Sequence, residues 1–223
     1  MRERATANDV PFTPLDKLFE PTVPQGPELP AVDTLPVEEL EQILQNAAAY
    51  KRAQDEHRAA NEAAGQSMQK AEQEADGMPE GKLEFPEADL IGLNMEGPFI
   101  SPVKKGAQDE KNIVPCNVEI AKRFLKASEG LVKFIGIAPE ESSEAVAFIQ
   151  EMKDSVDISL AHTNADYDTA MAAFTAGANH AVHLYNAMPA FTHRAPGVIG
   201  AVADSKHVMA EIICDNVHIH PAV

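Results

Sequence analysis

The chain has 223 residues, of which 44% are hydrophobic, enough for one substantial packed domain. Its net charge of -17 and pI of about 4.8 oppose contact with nucleic-acid phosphates and anionic lipid, so neither is expected as a partner. A small anionic substrate remains compatible, because local cations and helix N-termini can bind it against the overall field.

Two cysteines, Cys116 and Cys214, form no CxxC pair and read as buried or semi-buried thiols in a reducing compartment. No apolar run reaches membrane-spanning length, and "MRERATANDV" lacks a signal-peptide core, so the expected location is cytoplasmic.

In chain order, residues 1–33 carry Pro11, Pro14, Pro21, Pro24, Pro27 and Pro30 without a periodic apolar pattern. This segment reads as an extended or disordered lead-in. A helical segment with an insertion follows over 34–87. Thr34 is its predicted cap, Pro36 suits the first turn, and Glu38 and Glu39 favour the positive end of the dipole. Val37, Leu40, Ile43, Leu44 and Ala47 recur as one stripe. Beyond Lys51 the stripe thins to alanine, which predicts a helix projecting into solvent or packing on a partner, ended by Gly77, Pro79 and Gly81.

Residues 88–223 have a different texture. Five apolar, β-rich runs appear: "DLIGLNMEG", "LVKFIGIAPE", "VDISLAHTN", "NHAVHLYNA" and "HVMAEIICD". Helical patterns lie between most of them. Val118, Ala121, Phe124 and Leu125 share one face, serines open the pattern of Ala145, Phe148, Ile149 and Met152, and Asp166 caps a third helix. Alternating strands and helices predict an α/β fold with a parallel sheet. No GxGxxG turn follows a strand, which weakens the dinucleotide-binding version of an open sheet. Polar residues gather at the C-terminal ends of the runs: Glu96, Glu140, His162, His183 and Asn186, and Asp215. A (β/α)8 barrel builds its active site at those ends. Five strands fall short of the eight that a complete barrel needs, so an open doubly wound sheet and a partial (β/α)8 TIM barrel both stay open at this point.

Glu96, His162 and His183 each close a separate run. Two imidazoles and a carboxylate suit zinc or ferrous iron, and three protein ligands leave a position for water. Spacing alone is a weak signal, since a strand-end histidine is commonly a hydrogen-bonded structural residue. His180 points to the opposite face from His183 by alternation and is assigned to packing. His218 and His220 share a face by the same rule. His57, His193 and His207 carry no expected role, and the Lys104 and Lys105 side chains read as solvated surface.

Four longer motifs carry a resemblance: "LNMEGPFISPVKKGAQ", "AHTNADYDTAMAAFTAGANHAVHLYNAM", "HRAPGVIGAVADS" and "EIICDNVHIHPAV". From about Leu90 to Val223 the chain resembles the N-acetylglucosamine-6-phosphate deacetylases of the amidohydrolase superfamily. The resemblance implies Glu96, His162 and His183 as ligands of zinc or iron. It also implies Ala107 and Gln108 as substrate contacts, and Asn186 and Ala187 beside the sugar phosphate. Arg194 becomes the cationic partner of that phosphate, and His218 a contact near the acetamide. Arginine suits phosphate because its guanidinium offers a bidentate fork. Asn216 stands where the family often has glycine, and asparagine tolerates the same left-handed backbone.

The implied substrate is N-acetylglucosamine 6-phosphate, hydrolysed to glucosamine 6-phosphate and acetate by a homo-oligomer, a dimer or tetramer. The implied proton carrier is an aspartate on a strand beyond the "HIHP" segment, so no catalytic residue is assigned up to Val223. The family's early HxH strand and β-sandwich portion have no counterpart in residues 1–33, and residues 55–87 read as an insertion. The alternatives are a non-catalytic metal- and sugar-phosphate-binding remnant, a related N-acyl-sugar amidohydrolase, or a helical partner-binding arm attached to a degenerate barrel.

Overall fold

The computed structural model describes residues 35–74 and 90–223, for residue 57 and residues 60–74 the backbone alone. The proline-rich lead-in, the Thr34 cap and the Gly77, Pro79 and Gly81 stop lie outside the described residues. The first helix, α1, runs Val37–Glu74 and packs on the later helix α2, Val118–Ala127. Leu44 and Ala48 form its buried line, with Val37 and Leu40 partly buried beside them. Ile43, expected in the stripe, is exposed at 38%. Val37, Leu40, Leu44 and Ala48 keep the three-to-four spacing that holds one face, and Ile43 falls outside it. The two helices are also linked by a two-pronged ion pair: Arg123 Nε and Nη2 donate to the Glu41 carboxylate at 2.6 and 2.8 Å. Gln54 on α1 accepts the Leu90 backbone N–H at 3.1 Å, tying α1 to the chain entering the first strand.

Five strands follow: β1 Leu93–Phe99, β2 Val132–Ile137, β3 Asp157–Leu160, β4 His180–Ala181 and β5 Met209–Ala210. All pair in parallel, and their order across the sheet equals their order in the chain. A doubly wound sheet reverses strand order at a switch point; a barrel does not. This topology settles the choice left open by the sequence in favour of a partial (β/α)8 arc.

Helices α2, α3 (Ala145–Met152), α4 (Tyr167–Ala176) and α5 (Gly197–Asp204) supply the crossovers, and each packs on its neighbour. They therefore form one layer. The register aligns Met95 with Ile135 and Ile158, and Ile137 with Leu160 and Ala181; these six are buried in the main core with Phe99, Phe124, Phe148 and Phe174. The alternate row holds Phe134, Gly136, Ser159 and His180. Gly136 is required by close approach: a Cβ there would lie 2.9 Å from Ala161 Cβ and 3.2 Å from the Met95 carbonyl oxygen.

Side-chain caps close two helices, one of them the Asp166 cap that the sequence predicts. Asn117 accepts from Ile120 N–H at 3.0 Å, and Asp166 from Thr169 N–H at 2.8 Å. The expected serine cap of α3 is absent: Glu144 is the N-cap residue and makes no capping bond, while Ser142 Oγ takes only the Glu144 N–H. Cys214 is exposed, unlike the half-buried Cys116, whose thiol burial pushes up to about 12.

The last two strands are much shorter than their apolar runs. After β4 the backbone enters positive φ at His183, Tyr185 and Ala187, which ends extension. Residues 215–219 are a series of bends with Asn216 at φ 61°, so the strand alternation expected to align His218 with His220 does not exist.

Phe148 is 1% exposed and meets Phe99 edge-on at 5.4 Å between ring centroids. Phe148→Ala is expected to cost about 3–5 kcal/mol, read as a lower midpoint in urea unfolding.

Candidate metal centre

Glu96 lies in β1, His162 two residues beyond the end of β3, and His183 two residues beyond β4. Parallel pairing puts all three at the same edge of the sheet. His162 Nε2 stands 3.4 Å from Glu96 Oε2, His183 Nε2 stands 3.4 Å from Glu96 Oε1, and the two Nε2 atoms are 3.2 Å apart. The imidazole rings are perpendicular, with centroids 4.8 Å apart. Among the described residues these three form the one cluster of His, Cys, Asp and Glu side chains able to hold a metal ion.

The back nitrogen of each ring is committed. His162 Nδ1 lies 2.8 Å from the Lys104 carbonyl oxygen, and His183 Nδ1 lies 3.1 Å from that of Asn186. A carbonyl only accepts, so each Nδ1 carries a proton, and a ring in its neutral form turns its Nε2 lone pair inward. Two lone pairs and a carboxylate then face one another, which demands a positive charge between them. A tetrahedral ion with bonds of about 2.0–2.1 Å sets its ligands roughly 3.3 Å apart, close to the three separations found. The donor set and its spacing fit a divalent metal.

The same crowding governs the protons. Hydrogen bonding to His162 and then His183 holds the Glu96 carboxyl far below the usual carboxylate range. Bonding to Glu96 raises His183, against the opposing effect of its burial. Both histidine side chains are 12% exposed and Glu96 is 45% exposed, so the centre opens on the glutamate side.

The loops are strained where they carry the two candidate histidine ligands. His162 has φ 46° and His183 φ 35°, values uncommon outside glycine. The 101–109 loop closes over His162. Gly106, at φ 61°, would place a Cβ 3.4 Å from His162 Cε1, so both conformation and space call for glycine there. Lys104 and Lys105 are not the free surface side chains expected: their Nζ atoms donate to the carbonyl oxygens of Met188 at 3.2 Å and Gln108 at 3.0 Å. A backbone carbonyl that orients a ring leaves no mark on residue type, which is why Lys104 escaped sequence reasoning.

Of the expected substrate contacts, Gln108 is beside the centre, donating Nε2 to the Glu96 carbonyl at 2.8 Å, while its buried Oε1 has no hydrogen-bond partner among the described residues. Ala107 is exposed next to it. Asn186 and Ala187 lie in the His183 loop, where Ala187 O accepts from Thr163 N–H at 3.1 Å. Arg194 is exposed at a turn closed by Thr192 and Ala195, without a hydrogen bond or ion pair among the described residues. His218 does not join the metal cluster. Its Nδ1 lies 2.7 Å from Asp215 Oδ2, and the His218 and Val217 backbone N–H groups, with that ring, bring the Asp215 carboxyl down to about 2. His180 is buried against the Phe134 ring, as a packing residue. His207 contacts the Phe174 carbonyl, and His193 is exposed.

No protein-family model matches the chain. Among curated relatives, N-acetylglucosamine-6-phosphate deacetylase of Bacillus subtilis (strain 168) is 43% identical over 135 residues, which is 60% of this chain and 34% of the relative. N-acetylgalactosamine-6-phosphate deacetylase of Escherichia coli O157:H7 is 32% identical over 137 residues, 61% of this chain and 36% of the relative. The chain thus spans about a third of the length of these relatives. Among solved structures, N-acetyl-D-glucosamine-6-phosphate deacetylase of Mycobacterium smegmatis, in complex with N-acetyl-D-glucosamine-6-phosphate, matches at 29% identity and TM-score 0.66 over 85% of this chain and 41% of that one. The Thermotoga maritima N-acetylglucosamine-6-phosphate deacetylase matches at 25% identity and TM-score 0.58, over 83% and 41%.

Two outcomes are expected. Purified chain binds one Zn2+, measured by metal analysis after dialysis, and His183→Ala loses it while His180→Gln keeps it. In the metal-free chain, Glu96 titrates below its ordinary 4.5 and His183 above its ordinary 6.5. Their mutual stabilisation is complete above pH 4.5 and below pH 6.5, and is lost on acidifying through the folded Glu96 value or on raising pH through the folded His183 value. Thermal unfolding in chelator should show the gap between wild type and Glu96→Gln widest near about pH 5.5 and narrower by about pH 8.5.

Proposed function

We propose that this chain, homologous over 135 residues to N-acetylglucosamine-6-phosphate deacetylases, forms the metal- and substrate-holding arc of an enzyme that hydrolyses the acetamide of N-acetylglucosamine 6-phosphate. The products are acetate and glucosamine 6-phosphate. The observation that carries the reading is the inward-facing Glu96, His162 and His183 triad with both Nδ1 atoms tied back.

Glu96, His162 and His183 would hold zinc or ferrous iron, which when bound polarises an amide carbonyl and makes water a stronger acid. The chain's own residues supply binding and orientation. Gln108 keeps one amide end on the Glu96 backbone, which holds its side chain beside the centre. Arg194, with no competing carboxylate among the described residues, is the cation available to a phosphate. Asn186 and Ala187 lie on the His183 loop and would meet the same phosphate through backbone and amide groups. Ala107 lines the approach beside Gln108. His218 would have to exchange its Asp215 contact for the acetamide. The resemblance gives proton transfer to an aspartate downstream of His218. A homo-oligomer in the cytoplasm is the expected setting.

A second reading, the galactosamine epimer, is supported by the Escherichia coli relative. Both substrates carry the 6-phosphate, so the role given to Arg194 is common to them.

Arg194→Ala is expected to weaken binding of N-acetylglucosamine 6-phosphate to the Zn2+-loaded chain by roughly 10- to 100-fold, the worth of charge-assisted hydrogen bonds. Unphosphorylated N-acetylglucosamine should bind equally to both proteins. Calorimetric titration with the two sugars, and with the galactosamine epimer, tests the reading. Equal loss for phosphorylated and unphosphorylated sugar would overturn the assignment of Arg194.

A further inference from the structure

The two adjacent carboxylates at the end of β2 belong to no ligand or substrate role. Glu140 and Glu141 lie in a single 3-10 turn, Pro139–Glu141, after β2, which runs between the strand that carries Glu96 and the strand that leads to His162. Glu140 Oε2 accepts from Thr163 Oγ1 at 2.6 Å, and its Oε1 accepts from the Asn164 backbone N–H. Glu141 accepts from Ser101 Oγ. Ser101 N–H in turn donates to the His162 carbonyl oxygen at 2.9 Å.

Thr163 and Ser101 are both fully buried, so these bonds form away from competing water. Thr163 also reaches further. Its Oγ1 accepts from Ala165 N–H at 3.0 Å, and its N–H donates to the Ala187 carbonyl oxygen at 3.1 Å, in the loop of His183. The carbonyl of His162 and the residue after it are thus pinned from opposite sides, across a residue held at φ 46°. A strained conformation persists only where its surroundings over-determine it.

We propose that Glu140, acting through Thr163, is a positioning residue for the metal centre: with Glu141 and Ser101 it clamps His162 in its left-handed conformation and so sets metal affinity. This rests on the reading of Glu96, His162 and His183 as metal ligands. Glu140 touches neither ion nor substrate. It fixes the backbone from which His162 Nε2 is aimed, and the link to Ala187 carries the same register to His183.

The test uses the whole 223-residue chain and Zn2+ in competition with a chromophoric chelator, with amide hydrogen exchange over residues 162–165 of the metal-free protein as a second readout. Glu140→Gln retains one acceptor where two are needed. Thr163→Val keeps the shape and removes the hydroxyl, and Thr163→Ser restores it. Glu140→Gln and Thr163→Val should each weaken Zn2+ by roughly 10- to 100-fold and speed exchange at Asn164 and Ala165, with Thr163→Ser near wild type. Tyr167→Phe removes a hydrogen bond to Asp204, 2.8 Å long and remote from the centre, and should lower thermal stability without changing Zn2+ affinity. If Glu140→Gln does not fold, the Thr163 pair decides alone. Wild-type affinity and exchange in both Glu140→Gln and Thr163→Val would overturn the clamp while leaving the metal reading intact. A wild-type chain that binds no Zn2+ would overturn both.

Discussion

The centre depends on a hydrogen bond made behind each imidazole. Lys104 O and Asn186 O hold the Nδ1 protons of His162 and His183, and that choice of tautomer aims both Nε2 lone pairs at Glu96. Without it, either ring could turn its proton inward and the three donors would satisfy one another. With it, the cluster is short of positive charge, and a cation is the natural complement. The depressed Glu96 and the raised His183 are the proton's partial answer to the same shortage.

Both carbonyls come from loops, and the loops are shaped by backbone conformations that extended chain does not use. His162, His183, Tyr185 and Ala187 all adopt positive φ within the two ligand loops. Each such residue costs of order 1–3 kcal/mol, which the surrounding bonds offset: Ser101 and Glu140 around His162, and Thr163 across to Ala187. Stability is spent at the sheet edge to obtain geometry, while the buried phenylalanines and isoleucines between sheet and helices supply it elsewhere.

An arc of five strands suffices to assemble these three candidate ligands because they come from β1 and from just beyond β3 and β4, all within it. Parallel pairing in chain order brings the ends of β1, β3 and β4 to one edge, with the end of β2 between them carrying the two carboxylates of the clamp. The net charge of -17 bears on solubility rather than on the site.

The sequence by itself determined the alternation of strands and helices, the apolar faces of α2 and α3, the Asp166 cap, and the choice of Glu96, His162 and His183 as candidate ligands through their family resemblance. These are local or motif-length signals, set by side-chain period and residue type. It misread Ile43 on α1, the caps of α3, the Lys104 and Lys105 side chains, and the strand alternation of His218 and His220. Only the tertiary structure decided that strand order equals chain order, which excludes the doubly wound sheet. It alone put the Lys104 and Asn186 carbonyls behind the rings and joined Glu140 to Thr163. Those contacts link residues 58, 3 and 23 positions apart. Two of the three acceptors are backbone oxygens, which every residue carries, so nothing in the residue types announces them until the chain has folded.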